Sequence, residues 1–151
     1  MTTIRVEPAR RSQCGIMARK IRGAHAERIA TRTTHELIVA MFGASYDCRA
    51  GYIDDELVAI GGVAGTMASD TGFIWLALAD IPAKHALRAT LEMRRQLADI
   101  TVGKRRILST LVVGDDKASR LADLMGFKPV TGEIKPSGST GLDMVEIALT
   151  R

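Results

Sequence analysis

The sequence contains few cysteines, few aromatic residues and no long apolar run. Its 151 residues include two cysteines, Cys14 and Cys48, and 4% aromatic residues. Two thiols are too few for a disulfide framework, so we expect both to be small hydrophobic side chains in a reducing, intracellular setting. No apolar stretch approaches the roughly 20 residues that cross a bilayer, and the N-terminus lacks the apolar core of a secretory signal. These absences argue against a disulfide-rich secreted domain and against a membrane span.

The remaining composition is that of an ordinary globular protein. Hydrophobic residues make up 46% of the chain and charged residues 25%, which argues against disorder, collagen and coiled coil. A chain of this length is large enough to bury a core of its own. We therefore expect one domain that spans residues 1–151.

Positive charge is concentrated in the N-terminal part of the chain. Residues 1–35 carry eight basic and two acidic residues, a net charge of +6, whereas the formal charge of the whole chain is +4. Such a face can attract the phosphates of a coenzyme or of nucleic acid, or it is the solvated side of amphipathic helices. Because no aromatic residue interleaves these arginines, the pattern argues against nucleic acid as a specific ligand.

The spacing of apolar residues, glycines and prolines predicts eleven elements in the order β-α-α-β-β-β-α-β-α-β-β. The strands at 73–79 and 107–113 are unbroken apolar runs, which is typical of strands covered on both faces. With the helix between them they form a parallel βαβ unit flanked by antiparallel strands, so the fold class is α/β with a mixed central sheet. The other strands are predicted near 4–7, 48–53, 57–68, 127–134 and 142–149, and the helices near 12–21, 24–42, from 82 onward and 117–125.

Glycines and small polar residues predict several local features. Gly61, Gly62 and Gly65 lie in a predicted strand, where glycine marks a bulge or the close approach of another backbone. Gly23 is expected to interrupt the first helical segment. In the helix from 82, the inner stripe is predicted to contain Ala83, Leu87, Leu91, Arg94 and Ala98, and the outer face Lys84, Arg88, Glu92 and Arg95.

No glycine occurs between Phe73 and Val102, although a strand that runs directly into a helix is where many α/β proteins bind phosphate. Without glycine, Cβ atoms obstruct the approach of a phosphate to the backbone, and Pro82 lacks one N–H donor. Asp80, as the predicted N-cap of the helix, would also repel a diphosphate.

Three basic side chains in the same segment could compensate by pairing directly with phosphate. They are Lys84, His85 and Arg88. Asp80 could act as a general base at the end of its strand, or it could simply cap the helix. His85 could contact phosphate or be an ordinary surface histidine.

Other polar residues near predicted strand ends have two possible roles. Ser109 and Thr110 could bind a ligand or pack as hydroxyls in the strand at 107–113. Asp115 and Asp116 are expected to cap the following helix rather than to bind a metal. The sequence therefore predicts no metal site.

The segment Arg120-Leu-Ala-Asp-Leu-Met-Gly-Phe127, together with the element order, resembles the GNAT acyltransferases. In that superfamily a short helix ends in a Gly-Phe pair before the final hairpin, as at Gly126 and Phe127. Within the superfamily the chain is most similar to the GNAT-like proteins of short-tailed bacteriophages and prophages, which share a tryptophan in the fourth strand, here Trp75. Some of those are internal virion proteins rather than enzymes.

The resemblance implies a coenzyme, acetyl-CoA, and an acceptor that is a small-molecule or protein amine. It also implies that the fourth and fifth strands splay apart and that the pantetheine arm pairs with backbone of the fourth strand, at Leu76, Leu78 and Ala79. The pyrophosphate would lie on the N-terminus of the next helix, near the basic residues at 84, 85 and 88. Asp80 would be the candidate catalytic base.

Two departures from the family pattern bear on function. The pyrophosphate loop of the family is usually Gln/Arg-x-x-Gly-x-Gly/Ala, whereas segment 80–88 has no glycine, and the tyrosine that usually serves as the acid is replaced by Ala122. The first hypothesis is an acetyl-CoA-dependent N-acyltransferase of phage or prophage type, in the cytoplasm of a bacterial host, with a degenerate loop. The alternative is a non-catalytic virion protein that binds other virion proteins. The sequence does not indicate an oligomeric state.

Overall fold

The computed structural model describes residues 1–25, 34–136 and 143–151. The strands are β1 (Ile4–Pro8), β2 (Ser45–Ile53), β3 (Glu56–Ala64), β4 (Thr71–Leu78), β5 (Arg106–Val112), β6 (Lys128–Pro136) and β7 (Asp143–Thr150). The helices are α1 (Arg11–His25), α2 (Thr34–Ala44), α3 (Ala83–Ile100) and α4 (Asp116–Met125). The element order agrees with the prediction, and the differences lie in the bounds.

The seven strands form one mixed sheet in the order β1-β2-β3-β4-β5-β7-β6. β4 and β5 are parallel, and every other neighbouring pair is antiparallel. This arrangement confirms the predicted βαβ unit at the centre of an α/β sheet, because α3 makes the crossover between the two parallel strands.

Helices cover both faces of the sheet. α1 and α2 bury residues such as Cys14, Met17 and Ile38 against one face, where Trp75 of β4 also packs. α3 and α4 pack on the other face, in two clusters that include Leu97 and Ala89 respectively. β4 is therefore covered on both sides, as its unbroken apolar sequence predicts.

Two predicted bounds are wrong for identifiable reasons. α1 continues through Gly23 to His25, because the packing of its apolar face outweighs the roughly 1 kcal/mol cost of one helical glycine. β3 ends at Ala64, since Gly65 takes a φ of 107° and turns the chain. Residues 26–33 of the helix predicted at 24–42 lie outside the described residues, as does most of the predicted loop between β6 and β7.

Gly61 and Gly62 confirm the prediction of close backbone approach. A Cβ atom at Gly61 would lie 2.7 Å from the carbonyl oxygen of Trp75, and one at Gly62 would lie 2.6 Å from that of Asp47. β3 therefore fits between β2 and β4 only with glycine at these two positions.

The inward face of α3 differs from the predicted stripe. His85, Ala89 and Leu97 are its buried residues, whereas Leu87 and Leu91 are exposed by 73% and 55%. Both faces of this helix contain apolar residues, so periodicity alone predicts the wrong face as the buried one. Glu92, which was placed on the outer face, is half-buried.

Both cysteines are free thiols, as expected; Cys14 is buried and Cys48 is half-buried. Burial raises the pKa of each thiol above its ordinary value, which suits unreactive packing groups. No helix in the described ranges combines the length and the apolar character needed to cross a membrane.

Candidate functional site

β4 and β5, whose backbones are described throughout, pair over only three residues each. Thr71–Phe73 aligns with Arg106–Leu108, and beyond these residues the strands have no ladder pairing. Immediately past this region the Ser109 hydroxyl donates a hydrogen bond of 2.9 Å to the Ile74 carbonyl oxygen. The ladder between the two strands ends here, and we call the unpaired stretch beyond it the gap in the centre of the sheet.

The backbone of β4 presents unpaired polar groups to this gap. The Ala79 N–H donates to the Val58 carbonyl at 2.8 Å, on the β3 side. Antiparallel ladders alternate, and the register pairs Ala59 with Leu78 and Gly61 with Leu76. Leu76 and Leu78 therefore turn their N–H and C=O groups away from β3 and toward the gap.

The N-terminus of α3 lies where β4 leaves the sheet. The cap position is Pro82, with φ −54° and ψ 139°, and no side chain caps the helix. The N–H groups of Ala83 and Lys84, in the first turn, therefore have no intrahelical acceptor. Free N–H groups and the positive end of the helix dipole favour an anion at such a position.

Asp80 is not the N-cap of α3, so that prediction is wrong. Pro82 occupies the cap position, and Asp80 lies two residues before it with its side chain 86% exposed. Its carboxylate lies 3.9 Å from the Nζ atom of Lys117 on α4. The uncapped helix end is therefore more open to an anion than the sequence indicates.

The three basic residues of this segment point in different directions. Lys84 is exposed in the first turn of α3. His85 is only 8% exposed, and its Nδ1 atom lies 3.3 Å from the Thr2 hydroxyl. The Arg88 guanidinium donates a hydrogen bond of 3.0 Å to the Thr2 carbonyl oxygen. His85 and Arg88 thus hold the N-terminal segment against α3, and Lys84 alone is left beside the open helix end.

α4 begins and ends as the sequence predicts. Asp115 is the N-cap, and its side chain accepts a hydrogen bond of 3.1 Å from the Ala118 N–H. Gly126 ends the helix in the left-handed conformation, with φ 95°, and Phe127 is buried. Ala122 is also buried, so the position of the family's tyrosine holds a methyl group in the core.

Two features of the site were missed in the sequence. The first is an apolar cavity of about 160 Å³ between α3 and the sheet, which arises because small residues on separate elements face one another. The second is a polar network at its rim, where Arg49 of β2 donates to Asp99 at 2.6 Å and to Gln96. Neither leaves a local motif, because the network joins Arg49 to residues 47 and 50 positions away and the cavity joins residues of separate elements.

Glu92 belongs to the same rim network. Gln96 donates to its carboxylate at 2.7 Å and Arg95 at 2.9 Å. Burial alone would raise the pKa of Glu92, but these hydrogen bonds outweigh it and hold the pKa below the ordinary value. The Glu92 carboxylate therefore stays ionised at neutral pH. No cluster of metal-binding side chains occurs among the described residues.

Comparison with known proteins places this geometry in a fold family. No family model and no curated protein matches the sequence. Among solved structures, aminoglycoside N(6′)-acetyltransferase of Legionella pneumophila aligns with a TM-score of 0.73 at 9% identity, over 97% of this chain and 91% of that one. The acetyltransferase of GNAT family from Streptococcus pneumoniae aligns with a TM-score of 0.65 at 10% identity, over 98% of this chain and 99% of that one. The fold is GNAT-like.

Two further solved structures align over most of their own length. The yncA protein of Salmonella typhimurium, solved with its cofactor acetyl-CoA, has a TM-score of 0.68 at 15% identity, over 97% of this chain and 93% of that one. RimJ of Mycobacterium smegmatis, solved with CoA-disulfide, has a TM-score of 0.70 at 14% identity, over 97% of this chain and 81% of that one. These structural alignments confirm the predicted GNAT-like fold. Because the identities are low, the activity has to be argued from the geometry of the site.

Proposed function

We propose that the chain is an acyl-CoA-dependent N-acyltransferase of GNAT type. The observation that carries the proposal is the gap between β4 and β5, toward which Leu76 and Leu78 turn unpaired backbone groups. An extended chain with amides can add to such an edge by main-chain hydrogen bonds, as an extra strand does. The pantetheine arm of coenzyme A is an extended chain of this kind.

The end of α3 supports the same proposal. A pantetheine arm along β4 would carry its diphosphate toward the uncapped first turn, where N–H groups of Ala83 and Lys84 are free to donate. The Lys84 ammonium adds positive charge at that position. Ala79 contributes no N–H to the coenzyme, because Val58 accepts it. Arg88 and His85 contribute indirectly, through the N-terminal segment that they hold.

The chemistry requires few groups from the protein. The lone pair of the acceptor amine attacks the thioester carbonyl, a C–N bond forms, and the C–S bond breaks with its electrons on sulfur. The amine proton passes to water or to Asp80, whose exposed carboxylate stands at the end of β4. The thiolate takes its proton from solvent, since Ala122 has no proton to donate. The acceptor is a small-molecule or protein amine.

A second candidate function is a non-catalytic protein that retains the scaffold. This candidate is favoured by Ala122, which stands where the family usually has its tyrosine acid. It is also favoured by Pro82, which lacks an N–H that could donate to phosphate. The narrower resemblance to phage and prophage proteins stays a prediction, with the host cytoplasm or the virion as the corresponding location. Mass spectrometry of purified particles would detect the chain stoichiometrically if it is a virion component.

Calorimetric titration with acetyl-CoA tests the enzyme proposal. We expect micromolar binding, and a roughly three- to tenfold weaker affinity for Lys84→Ala because a charge beside the diphosphate is lost. Lys128→Ala, which removes an exposed lysine on β6, should bind as the parent does. Release of free thiol on adding amines would then show turnover. An absence of heat at millimolar acetyl-CoA would contradict the proposal.

A further inference from the structure

The cavity beneath α3 has walls of almost entirely apolar character. Its volume is about 160 Å³, and it is lined by β1 to β4, α3 and the C-terminal half of α4. Ile74, Leu76 and Leu78 of β4 and Met93 and Leu97 of α3 are among the lining residues. Apolar cavities of about 150 Å³ stay dry and take up small hydrocarbons in other proteins. This space is therefore suited to a hydrocarbon ligand.

Small residues on facing elements create the cavity. Gly51 of β2 pairs with Ala59 of β3, and Gly61 follows two residues along the same face. Ala89 faces the sheet from α3, where it is 7% exposed. A larger side chain at any one of the facing alanines would fill part of the space. The cavity between α3 and the sheet therefore arises from small residues at positions where packed cores usually have larger ones.

The polar groups near the cavity are already satisfied. Among the described residues, no buried side-chain nitrogen or oxygen lacks a hydrogen-bond partner. The rim residues Arg49, Glu92 and Gln96 bond to one another or to neighbouring carboxylates. The interior therefore offers nothing to a polar ligand, and an unbranched alkyl chain matches its chemistry.

The cavity and the gap share two residues. Leu76 and Leu78 are among the residues that line the cavity, and their backbone groups face the gap. A thioester held along β4 would therefore have an apolar space directly beside it. No comparable space is needed for an acetyl group, which has a single methyl.

We propose that the cavity receives the acyl chain of the donor, and that the preferred donor is an acyl-CoA with a chain of about six carbons rather than acetyl-CoA. The inference rests on the proposed function and deepens it. Bond making and breaking are the same as for acetyl transfer, so no further reactant is required. Burying one methylene strengthens binding roughly fourfold, so even partial burial of four additional methylenes gives a large preference.

Calorimetry with CoA, acetyl-CoA and hexanoyl-CoA tests the inference. We expect hexanoyl-CoA to bind the parent protein at least about tenfold more tightly than acetyl-CoA. Ala89→Leu should reduce that ratio to less than about twofold without changing the affinity for acetyl-CoA, because leucine fills the cavity and not the gap. Ala98→Leu, the same change on the exposed face of α3, should leave the ratio intact. Ala59→Val fills the opposite wall if Ala89→Leu does not fold.

The outcomes separate the two proposals. If acetyl-CoA binds and hexanoyl-CoA binds no more tightly, the acyl-chain site is wrong and the enzyme proposal stands. If the preference exists but survives both filling substitutions, the chain lies elsewhere and the cavity assignment is wrong. If no CoA derivative binds, the proposed function fails, and the inference that rests on it fails as well.

Discussion

Leu78→Pro is expected to weaken acetyl-CoA binding by about tenfold or more while the protein stays folded. The Leu78 N–H faces the gap, so its loss costs the sheet no ladder hydrogen bond. A bound pantetheine arm would lose a donor worth about 1 to 1.5 kcal/mol, and the proline ring would narrow its path. Binding is measured by calorimetry, and folding by circular dichroism and urea denaturation.

Ala77→Pro is the matched control, one residue earlier in β4. The alternation of the ladder turns the Ala77 N–H toward Ile60 of β3. Its removal leaves a buried carbonyl without a donor in the middle of the sheet, at a cost of about 1 to 3 kcal/mol. We expect the free energy of unfolding to fall more for Ala77→Pro than for Leu78→Pro, which loses side-chain packing but no ladder hydrogen bond. Equal destabilisation by the two prolines would mean that the backbone of β4 does not face the gap as described.

Gly62→Ala is expected to lower the free energy of unfolding by about 3 kcal/mol. The new Cβ would lie 2.6 Å from the Asp47 carbonyl oxygen and 2.7 Å from the Cys48 sulfur. The carbonyl belongs to the neighbouring strand and cannot swing aside, so β2 and β3 must separate. Urea denaturation monitored by circular dichroism gives the change in stability.

Gly43→Ala is the control for this effect. Gly43 is a helical position in α2, and a Cβ there would meet nothing within 4 Å. Alanine is the better helix former, so we expect a gain of roughly 0.5 to 1 kcal/mol. A Gly62→Ala protein as stable as the parent would show that β2 and β3 are more loosely packed than the register indicates.

The sequence was sufficient to predict the fold because each element has a local signal. Apolar runs mark β4 and β5, Asp115 caps α4, and Gly126 ends it. The element order, together with Gly126 and Phe127, then carried the resemblance to the GNAT fold. The GNAT-like fold was confirmed by structures that are 9% to 15% identical to this chain.

The site was only partly predictable, because its properties depend on the directions in which side chains point rather than on residue type. Asp80 has the chemistry of an N-cap, yet Pro82 lies between it and the helix and takes the cap position. Lys84 and His85 are adjacent in sequence, but the helix turns one outward and the other into the protein. The contacts that decide these orientations, such as that of Thr2 with His85, join positions more than 80 residues apart.

The cavity could not be predicted for a related reason. Ala59 and Ala89 lie on different elements, and neither is unusual in its own segment. Their opposition is a property of the packed structure, since it depends on the register of β3 and on the rotation of α3. The misassigned inner face of α3 shows the same limit, because Leu87 and Leu91 were the more apolar choice and are exposed.

The most direct test of the central claim is a nitrogen–proton NMR titration of the protein with coenzyme A, read residue by residue. If the gap between β4 and β5 binds the coenzyme, the amide resonances of Leu76, Leu78, Ala83 and Lys84 should shift most. The amide of Lys128, on the distant strand β6, should stay unchanged. The account would be contradicted if coenzyme A shifted none of these four amides, or if the largest shifts lay on α1 and α2.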